Sequence, residues 1–196
     1  MKNGRHSGES TIGVYLALGS NLGDREVNLR QAVARIRKLV LEVNRISSIY
    51  ETEPVGFADQ GWFLNQVIAA DIPAIQLPNR EDLAAEQAIL LLSKLQQIEN
   101  EMGRERDITN GPRTIDIDLL LFGDAIIGYS NDSRKQVLPA AKIVVPHARM
   151  HERRFVLEPL CEIAPAAIHP VLKKTCEQML ASLRDNSVVR LYGRNE

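Results

Sequence analysis

Residues 111–124, GPRTIDIDLLLFGD, contain the stretch that decides the fold of this chain. Its run of isoleucine, leucine and phenylalanine predicts a buried β-strand over residues 115–122. Side chains alternate along a strand, so Asp116 and Asp118 point to the same face, with β-carbons about 6.6 Å apart, or two rises of ~3.3 Å. Burying two carboxylates without partners is unfavourable. We therefore expect a positively charged group to meet them.

Two kinds of positive partner can satisfy this acidic pair. The first is an arginine, because Arg104, Arg106 and Arg113 all lie shortly before the strand. The second is a hard cation such as Mg²⁺, which binds one or two carboxylates and completes its octahedron with water and phosphate oxygens. Arginines beside such a site would bind polyphosphate oxygens in bidentate fashion. The combination favours phosphoryl transfer, although Asp-x-Asp occurs in many metal enzymes and Arg106 alone is equally typical of a solvated loop.

Outside this stretch, hydrophobic periodicity predicts a βαββαβ order. Strands are predicted at 14–18, 43–50, 63–70 and 115–122, and helices at 25–41, 81–102 and within 153–183. The order predicts an α/β (α+β) fold with a ferredoxin-like βαββαβ core. GSNLG at 19–23 matches neither the Walker nor the dinucleotide pattern, so we interpret it as a tight strand-to-helix turn. The long loop at 51–62 is of the kind that often carries function.

Length and composition predict one globular domain. The 196 residues include 24 basic and 25 acidic side chains, and the net charge of −1 gives no global field that would favour nucleic acid or an anionic membrane. Two cysteines are too few for a disulfide scaffold, and no run approaches the ~20 apolar residues of a membrane span. We expect a cytoplasmic protein with a disordered leader at 1–12, a folded domain at 13–185 and a C-terminal tail at 186–196.

Four collinear segments resemble one known family. They are ALGSNLGD at 17–24, YETEPVGFADQGWFLN at 50–65, the stretch at 111–124 and VPHARMHERRFVLEPLCEIAP at 145–165. In these segments the chain resembles the 6-hydroxymethyl-7,8-dihydropterin pyrophosphokinases of folate biosynthesis. The resemblance implies a three-layer α-β-α sandwich in a single domain. It also implies an enzyme that transfers diphosphate from ATP to the pterin hydroxymethyl group and releases AMP.

The same resemblance implies roles for individual residues. Asp116 and Asp118 would hold two Mg²⁺ ions, and Arg104 and Arg113 would be catalytic together with them. The ATP site would be formed by Gln96, Glu99, Arg104, Arg106, Arg113, Leu119, Lys142, His147 and Arg153. The pterin site would be formed by Thr52, Val55, Gly56, Phe63, Asn65 and Phe155. In that site the two phenylalanine rings would stack on opposite faces of the pterin.

The residues by themselves support part of this assignment. Phe63 and Asn65 share a strand face, so a ring and an amide could meet one flat heterocycle. Taken alone, however, Phe63 is more typical of core packing, and His147 of a surface or capping histidine. The chain departs from the family's pattern at Asn110, where a tryptophan is expected, and in the loop 104–113, which is one residue shorter.

Two other functions fit parts of the pattern. A sugar-nucleotide transferase would also use Asp-x-Asp to hold a metal-bound diphosphate, but it predicts a larger nucleotide-binding half and a longer chain. A non-catalytic ferredoxin-like sensor domain would explain the order of elements and leave the two aspartates unexplained. For a pyrophosphokinase we expect small-molecule substrates, no nucleic-acid or membrane partner, and a monomer.

The acidic strand gives a first prediction. Asp116→Ala and Asp118→Ala should each abolish turnover and leave the fold intact, or even stabilise it, because two carboxylates without a metal repel each other. Steady-state kinetics and circular dichroism on both variants test this. Activity within about tenfold of the parent in either variant would remove the metal assignment.

Overall fold

The computed structural model describes residues 11–39, 42–56, 59–73, 80–104, 111–129 and 143–193. Its strands are β1 (Thr11–Ser20), β2 (Glu42–Ile46), β3 (Tyr50–Thr52), β4 (Phe63–Pro73), β5 (Asp116–Phe122) and β6 (Val189–Leu191). Its helices are α1 (Arg25–Ile36), α2 (Arg80–Glu101), α3 (Arg154–Ile163) and α4 (Cys176–Ala181), with a 3₁₀ turn at Met150–Glu152. In these ranges no helix is both long enough and apolar enough to cross a membrane.

The strands of the described ranges form one antiparallel sheet in the order β5-β1-β4-β3-β6, with β2 also paired to β4. Strand β1 is central, and its Gly19 lies opposite Asn65 of β4 on one side and opposite Asp116 of β5 on the other. When β2 and β3 are taken as one interrupted strand, the order is that of a ferredoxin-like βαββαβ core. The predicted α/β (α+β) fold is confirmed.

Helices cover both faces of this sheet. Helices α1 and α2 pack on one face through Leu29, Ile36 and Leu95, whereas α3 packs on the other through Leu157 and Leu160. All five side chains are fully buried, and burial of each contributes ~1.5–3 kcal/mol relative to exposure. Two apolar layers therefore clamp the sheet, and the predicted three-layer α-β-α sandwich in a single domain is confirmed.

A β-bulge in β5 separates the acidic part of the strand from its apolar end. Leu16 of β1 pairs with Leu119, whereas Tyr15 pairs with Leu121, so Leu120 is the extra residue. The carbonyl oxygen of Leu120 accepts the backbone N–H of His147 at 2.9 Å. The bulge thus brings the segment that contains His147 next to the acidic strand.

The segment between β1 and α1 is the predicted strand-to-helix turn. Gly23 adopts a left-handed conformation with φ of +60°, which glycine adopts without steric cost. Asp24 caps α1, because its Oδ1 accepts the backbone N–H of Val27 at 3.0 Å.

The predicted strand 43–50 is two strands, because Ser47 interrupts the ladder. Its backbone N–H donates to the carbonyl oxygen of Val67 at 2.9 Å, and its Oγ accepts the Val67 N–H at 3.0 Å. Gln66 Nε2 donates to the Ser47 carbonyl oxygen at 2.8 Å. A side chain here takes the place of a backbone partner, which hydrophobic periodicity does not reveal.

The predicted helix lengths are wrong at two places. Helix α1 ends at Ile36 rather than at residue 41, and the amides of residues 37–39 bond back to the last helical turn. The predicted helical segment 153–183 contains two helices, since α3 ends before Pro165 and α4 begins only after Thr175. Proline disfavours helical geometry in the residue before it, and Thr175 forms a capping box with Gln178 that starts α4.

The outer boundaries also differ from the expected ones. Strand β1 begins at Thr11, inside the stretch 1–12 expected to be a leader, and residues 1–10 lie outside the described ranges. Strand β6 lies in the expected tail 186–196, where Val189 pairs with Thr52 and Leu191 with Tyr50. The three-residue strand is too short for a periodic pattern to indicate it, so only its pairing with β3 defines it.

The Ser47 interruption gives a stability prediction. Ser47→Ala removes the acceptor of a buried backbone N–H, and should lower the free energy of unfolding by about 1–3 kcal/mol. Ser93→Ala is the matched control, because Ser93 is exposed on α2 and its Oγ donates within the helix, to the Leu90 carbonyl oxygen. Urea denaturation measures both, and equal effects would contradict the role of Ser47.

Candidate active site

A cavity of about 300 Å³ opens at the edge of the sheet where β1 and β3 end and β4 and β5 begin. Residues of α3 and of the segment before it close the opposite side. Twelve of the predicted site residues line this cavity: Thr52, Val55, Gly56, Phe63, Asn65, Arg104, Arg113, Asp116, Asp118, His147, Arg153 and Phe155. Segments distant in the sequence therefore meet at one place.

Asp116 is held by two arginines. Its Oδ1 lies 2.7 Å from Nη1 of Arg104, and its Oδ2 accepts a hydrogen bond from Nη1 of Arg113. Arg104 also pairs with Glu99, whose side chain is 2% exposed and accepts the Ile117 backbone N–H at 2.7 Å. Burial raises the pKa of Glu99. The result is a partly buried chain of charges, anchored in the core by Glu99, that fixes both guanidinium groups at the cavity wall.

Asp118 has a different environment from Asp116. The nearest basic side chains are the Arg153 cation and the His147 imidazole, whose Nη1 and Nε2 atoms lie 3.9 Å and 3.8 Å from its Oδ2, beyond hydrogen-bond distance. Burial, and then the negative charge of Asp116, raise the pKa of Asp118 to about 6. Its side chain nevertheless keeps 37% of its surface exposed. Asp118 is thus a carboxylate whose surroundings favour a further positive charge.

His147 is a neutral imidazole in this site. Burial, followed by the nearby Arg153 charge, lowers the pKa of His147 to about 4. Its Nδ1 accepts the backbone N–H of Arg149 at 3.2 Å, so the ring proton resides on Nε2, the atom that faces Asp118. The imidazole can therefore donate one hydrogen bond into the cavity at neutral pH.

Two aromatic rings lie in the cavity, and a guanidinium group is positioned over each. The Cζ atom of Arg113 is 5.6 Å from the centroid of the Phe63 ring, and Cζ of Arg153 is 5.6 Å from that of Phe155. Both rings are partly exposed, so Phe63 is not the core residue that it would be expected to be when taken alone. They offer π surfaces to a planar ligand.

Asn65 lies beside Phe63 at the floor of the cavity. Its Nδ2 donates to Thr52 Oγ1 at 2.7 Å, which fixes the amide. Gly19 of β1 makes this arrangement possible, since a β-carbon there would lie 2.8 Å from Asn65 Oδ1. Both the amide and the space in front of it therefore depend on the glycine at the end of β1.

Three of the described residues predicted for the ATP site do not line the cavity. Gln96 is exposed on α2, Glu99 is buried behind Arg104, and Leu119 is 3% exposed in the core on the opposite face of the sheet. Arg106 and Lys142 lie outside the described residues, as does Asn110. The assigned role of these residues in binding ATP stays a prediction.

Sequence reasoning missed five cavity residues, namely Ala17, Leu18, Gly19, Glu53 and Arg149. Gly19 and Arg149 could have been assigned to the site from the sequence. A glycine at the end of a buried strand often marks a close approach of another group. Arg149 lies two residues after His147, within a segment already assigned to the site, and its charge adds to those of the other arginines.

An α-β-α sandwich with an aspartate pair, four arginines and two aromatic rings around one cavity defines the class of the protein, a phosphoryl-transfer enzyme with a planar substrate. The family model described as 7,8-dihydro-6-hydroxymethylpterin-pyrophosphokinase (HPPK) matches residues 15–165. The chain belongs to this family. Membership sets aside the sugar-nucleotide transferase and the sensor domain as alternatives.

Individual relatives agree with this assignment. A 2-amino-4-hydroxy-6-hydroxymethyldihydropteridine pyrophosphokinase of Bacillus subtilis is 45% identical over 150 residues, which are 76% of this chain and 76% of the relative. The enzyme of that name from Aquifex aeolicus is 38% identical over 165 residues, covering 84% of this chain and 88% of the relative.

Solved structures show the same fold. A Plasmodium falciparum HPPK-DHPS triple mutant with pteroate superposes with a TM-score of 0.56 at 15% identity, over 90% of this chain and 44% of that one. Another HPPK-DHPS in complex with substrates gives a TM-score of 0.60 at 14% identity. The present chain spans less than half the length of both.

The contrast between the two aspartates predicts opposite effects on stability. In metal-free protein at pH 7.5, Asp118→Asn should raise the free energy of unfolding by a few tenths to about 1 kcal/mol, because it removes a charge that solvent only partly screens. Since the folded state raises this pKa, the parent loses stability progressively as the pH rises from 3.8 to about 6. The gain for Asp118→Asn should therefore be complete above pH of about 6 and vanish below 3.8.

Asp116→Asn should instead lower the free energy of unfolding by about 1–3 kcal/mol, because Arg104 and Arg113, which are 15% and 17% exposed, lose their shared anion. This corrects the expectation that removal of either carboxylate relieves repulsion. Urea denaturation in EDTA across this pH range measures both variants, and effects of equal sign would contradict the assignment.

Proposed function

We propose that this protein transfers diphosphate from ATP to 6-hydroxymethyl-7,8-dihydropterin, giving the pterin diphosphate and AMP. The observation that carries the proposal is that one cavity contains both the arginine-flanked Asp116–Asp118 pair and the aromatic pair Phe63 and Phe155. Family membership supports the same reaction. We place it in folate biosynthesis and, given that both cysteines are free thiols, in the cytoplasm.

The phosphate half of the cavity has a surplus of positive charge. Arg104, Arg113, Arg149 and Arg153 carry four positive charges, against three carboxylates on Asp116, Asp118 and Glu53. Arg104 and Arg113 are held by the acidic residues behind them, so they need little reorganisation when charge develops on the transferred group. Arg153 and neutral His147 face the same centre from the side of α3.

The donor set of this half fits Mg²⁺. Within the described ranges, no three or more histidine, cysteine, aspartate or glutamate side chains gather into a metal cage. An ion at Asp116 and Asp118 would complete its octahedron with water and phosphate oxygens, as Mg²⁺ does. In our proposal two such ions bind there with ATP and neutralise charge on the diphosphate.

The aromatic half of the cavity suits the acceptor. Phe63 and Phe155 offer π faces to the pterin, and the fixed Asn65 amide can form hydrogen bonds with a polar edge of the ring. Thr52, Val55 and Gly56 form the rim on the side of β3. Holding both substrates in one cavity makes the transfer effectively unimolecular, an advantage of up to ~7–11 kcal/mol.

Product analysis tests this proposal. With Mg²⁺ and ATP, the purified protein should release AMP only when 6-hydroxymethyl-7,8-dihydropterin is added, one AMP for each pterin diphosphate. Phosphorus NMR distinguishes the outcomes: ADP in place of AMP would mean transfer of a single phosphoryl group, and release of AMP without pterin would mean hydrolysis. Either result would overturn the proposed reaction.

A matched pair of arginine variants tests whether the reaction takes place in this cavity. Arg113→Ala should lower kcat by about 10²-fold, the usual effect of losing one fixed electrostatic donor. Arg30→Ala is the control, because among the described residues Arg30 pairs with Glu26 alone, on the exposed face of α1, with 73% of its side chain accessible. Similar kcat values for the two variants would exclude a catalytic role for Arg113.

A further inference from the structure

The side chain of Asn21 lies just behind the cavity and joins two segments that form its wall. Its Oδ1 accepts the backbone N–H of Arg113 at 2.7 Å. Its Nδ2 donates to Gln60 Oε1 at 2.9 Å and to the Gly61 carbonyl oxygen at 3.1 Å. The Asn21 backbone N–H in turn donates to the Arg113 carbonyl oxygen at 3.1 Å. The residue is 8% exposed, so water competes little for these bonds.

Each of these two segments leads directly to a residue of the cavity. Gln60 and Gly61 precede Trp62, whose carbonyl oxygen accepts Arg25 Nη1 at 2.7 Å, and the next residue is Phe63. The other segment contains Arg113 itself. Asn21 therefore fixes the backbone just before the aromatic ring of Phe63 and the backbone of the arginine that lies over this ring.

We propose that Asn21 is a positioning residue that sets the separation of Phe63 from Arg113, and hence the alignment of the heterocyclic acceptor with the transferred diphosphate. This inference rests on the proposed function. Its physical basis is that phosphoryl transfer depends on reacting atoms being held in line, and a displacement of ~1 Å can reduce the rate by ~10²-fold. An amide is suited to this task, since it accepts and donates at the same time.

A purely structural role predicts a different outcome, and Asn28 supplies the comparison. Asn28 belongs to the same region, and its Nδ2 donates to Ser20 Oγ at 3.2 Å and to the Leu22 carbonyl oxygen at 2.9 Å. Both bonds remain within the β1–α1 turn and its flanks. Asn28→Ala therefore weakens the turn without releasing Arg113 or the Gln60–Trp62 segment.

Steady-state kinetics separates the two roles. Asn21→Ala should lower kcat by about 30-fold and change KM for ATP and for the pterin by less than about threefold, because both substrates still bind while their alignment is lost. Asn28→Ala should change kcat by less than about threefold. Equal kcat values for the two variants, or a loss for Asn21→Ala confined to KM, would overturn the proposal.

A double-mutant cycle tests whether Asn21 acts through Arg113. If it does, adding Asn21→Ala to Arg113→Ala should lower kcat by less than a further threefold, whereas independent effects would multiply to the full 30-fold. Multiplicative effects would overturn the proposal.

Asn21→Asp replaces Asn21→Ala if the alanine variant fails to fold. This isosteric change keeps the acceptor for Arg113 and loses the donor to Gly61, and it should lower kcat about tenfold. An Asn21→Asp variant with parental kcat would equally overturn the proposal.

The outcomes also separate this inference from the proposed function. If the parent protein releases no pterin-dependent AMP, the proposed function fails. If the parent is active and Asn21→Ala behaves like Asn28→Ala, only the role of Asn21 fails.

Discussion

The register of the central strand β1 is the constraint on which the site depends. Because β1 pairs with β4 on one side and β5 on the other, the position of Gly19 faces Asn65 and Asp116 at once. One neighbour belongs to the aromatic half of the cavity and the other to the arginine-rich half. A slip of one residue in either ladder would turn Asp116 or Asn65 to the opposite face of the sheet. The apolar layers on both faces oppose such a slip, since it would bury the carboxylates among leucines.

The two aspartates of β5 have the same side chain but different surroundings, and their charged partners therefore differ. Asp116 binds Arg104 and Arg113, which a second acid, Glu99, supports from within the core. Asp118 has no cation within hydrogen-bond distance in the part of the chain that the structure describes. One carboxylate therefore organises the protein's own cations, and the other is open toward the cavity. Of the two partners considered for the acidic pair, arginine is therefore present at Asp116, and the metal stays a proposal.

Hydrophobic periodicity was sufficient to predict the order of elements, the ferredoxin-like core and the shared face of Asp116 and Asp118. These features follow from local alternation and from long apolar runs. The break at Ser47, the bulge at Leu120 and the strand β6 could not be predicted in this way, because each is defined by a hydrogen bond to a residue distant in sequence. Asn21 was interpreted correctly as part of a turn, but its bonds to Gly61 and Arg113 exist only in the folded chain. Most of the cavity residues came from the family resemblance rather than from pattern.

The short strand β6 has a consequence for self-association. Without it, the three residues of β3 would form a sheet edge with unpaired N–H and C=O groups, the kind of surface that recruits strands from other molecules. With β6 in place the edge is again only three residues long, and Arg190 at its centre pairs with Glu51 across the strands. Brevity and charge at an edge both discourage intermolecular pairing. Removal of the chain from Val189 onward would therefore leave the backbone groups of β3, at the rim of the cavity, without the partners that β6 provides.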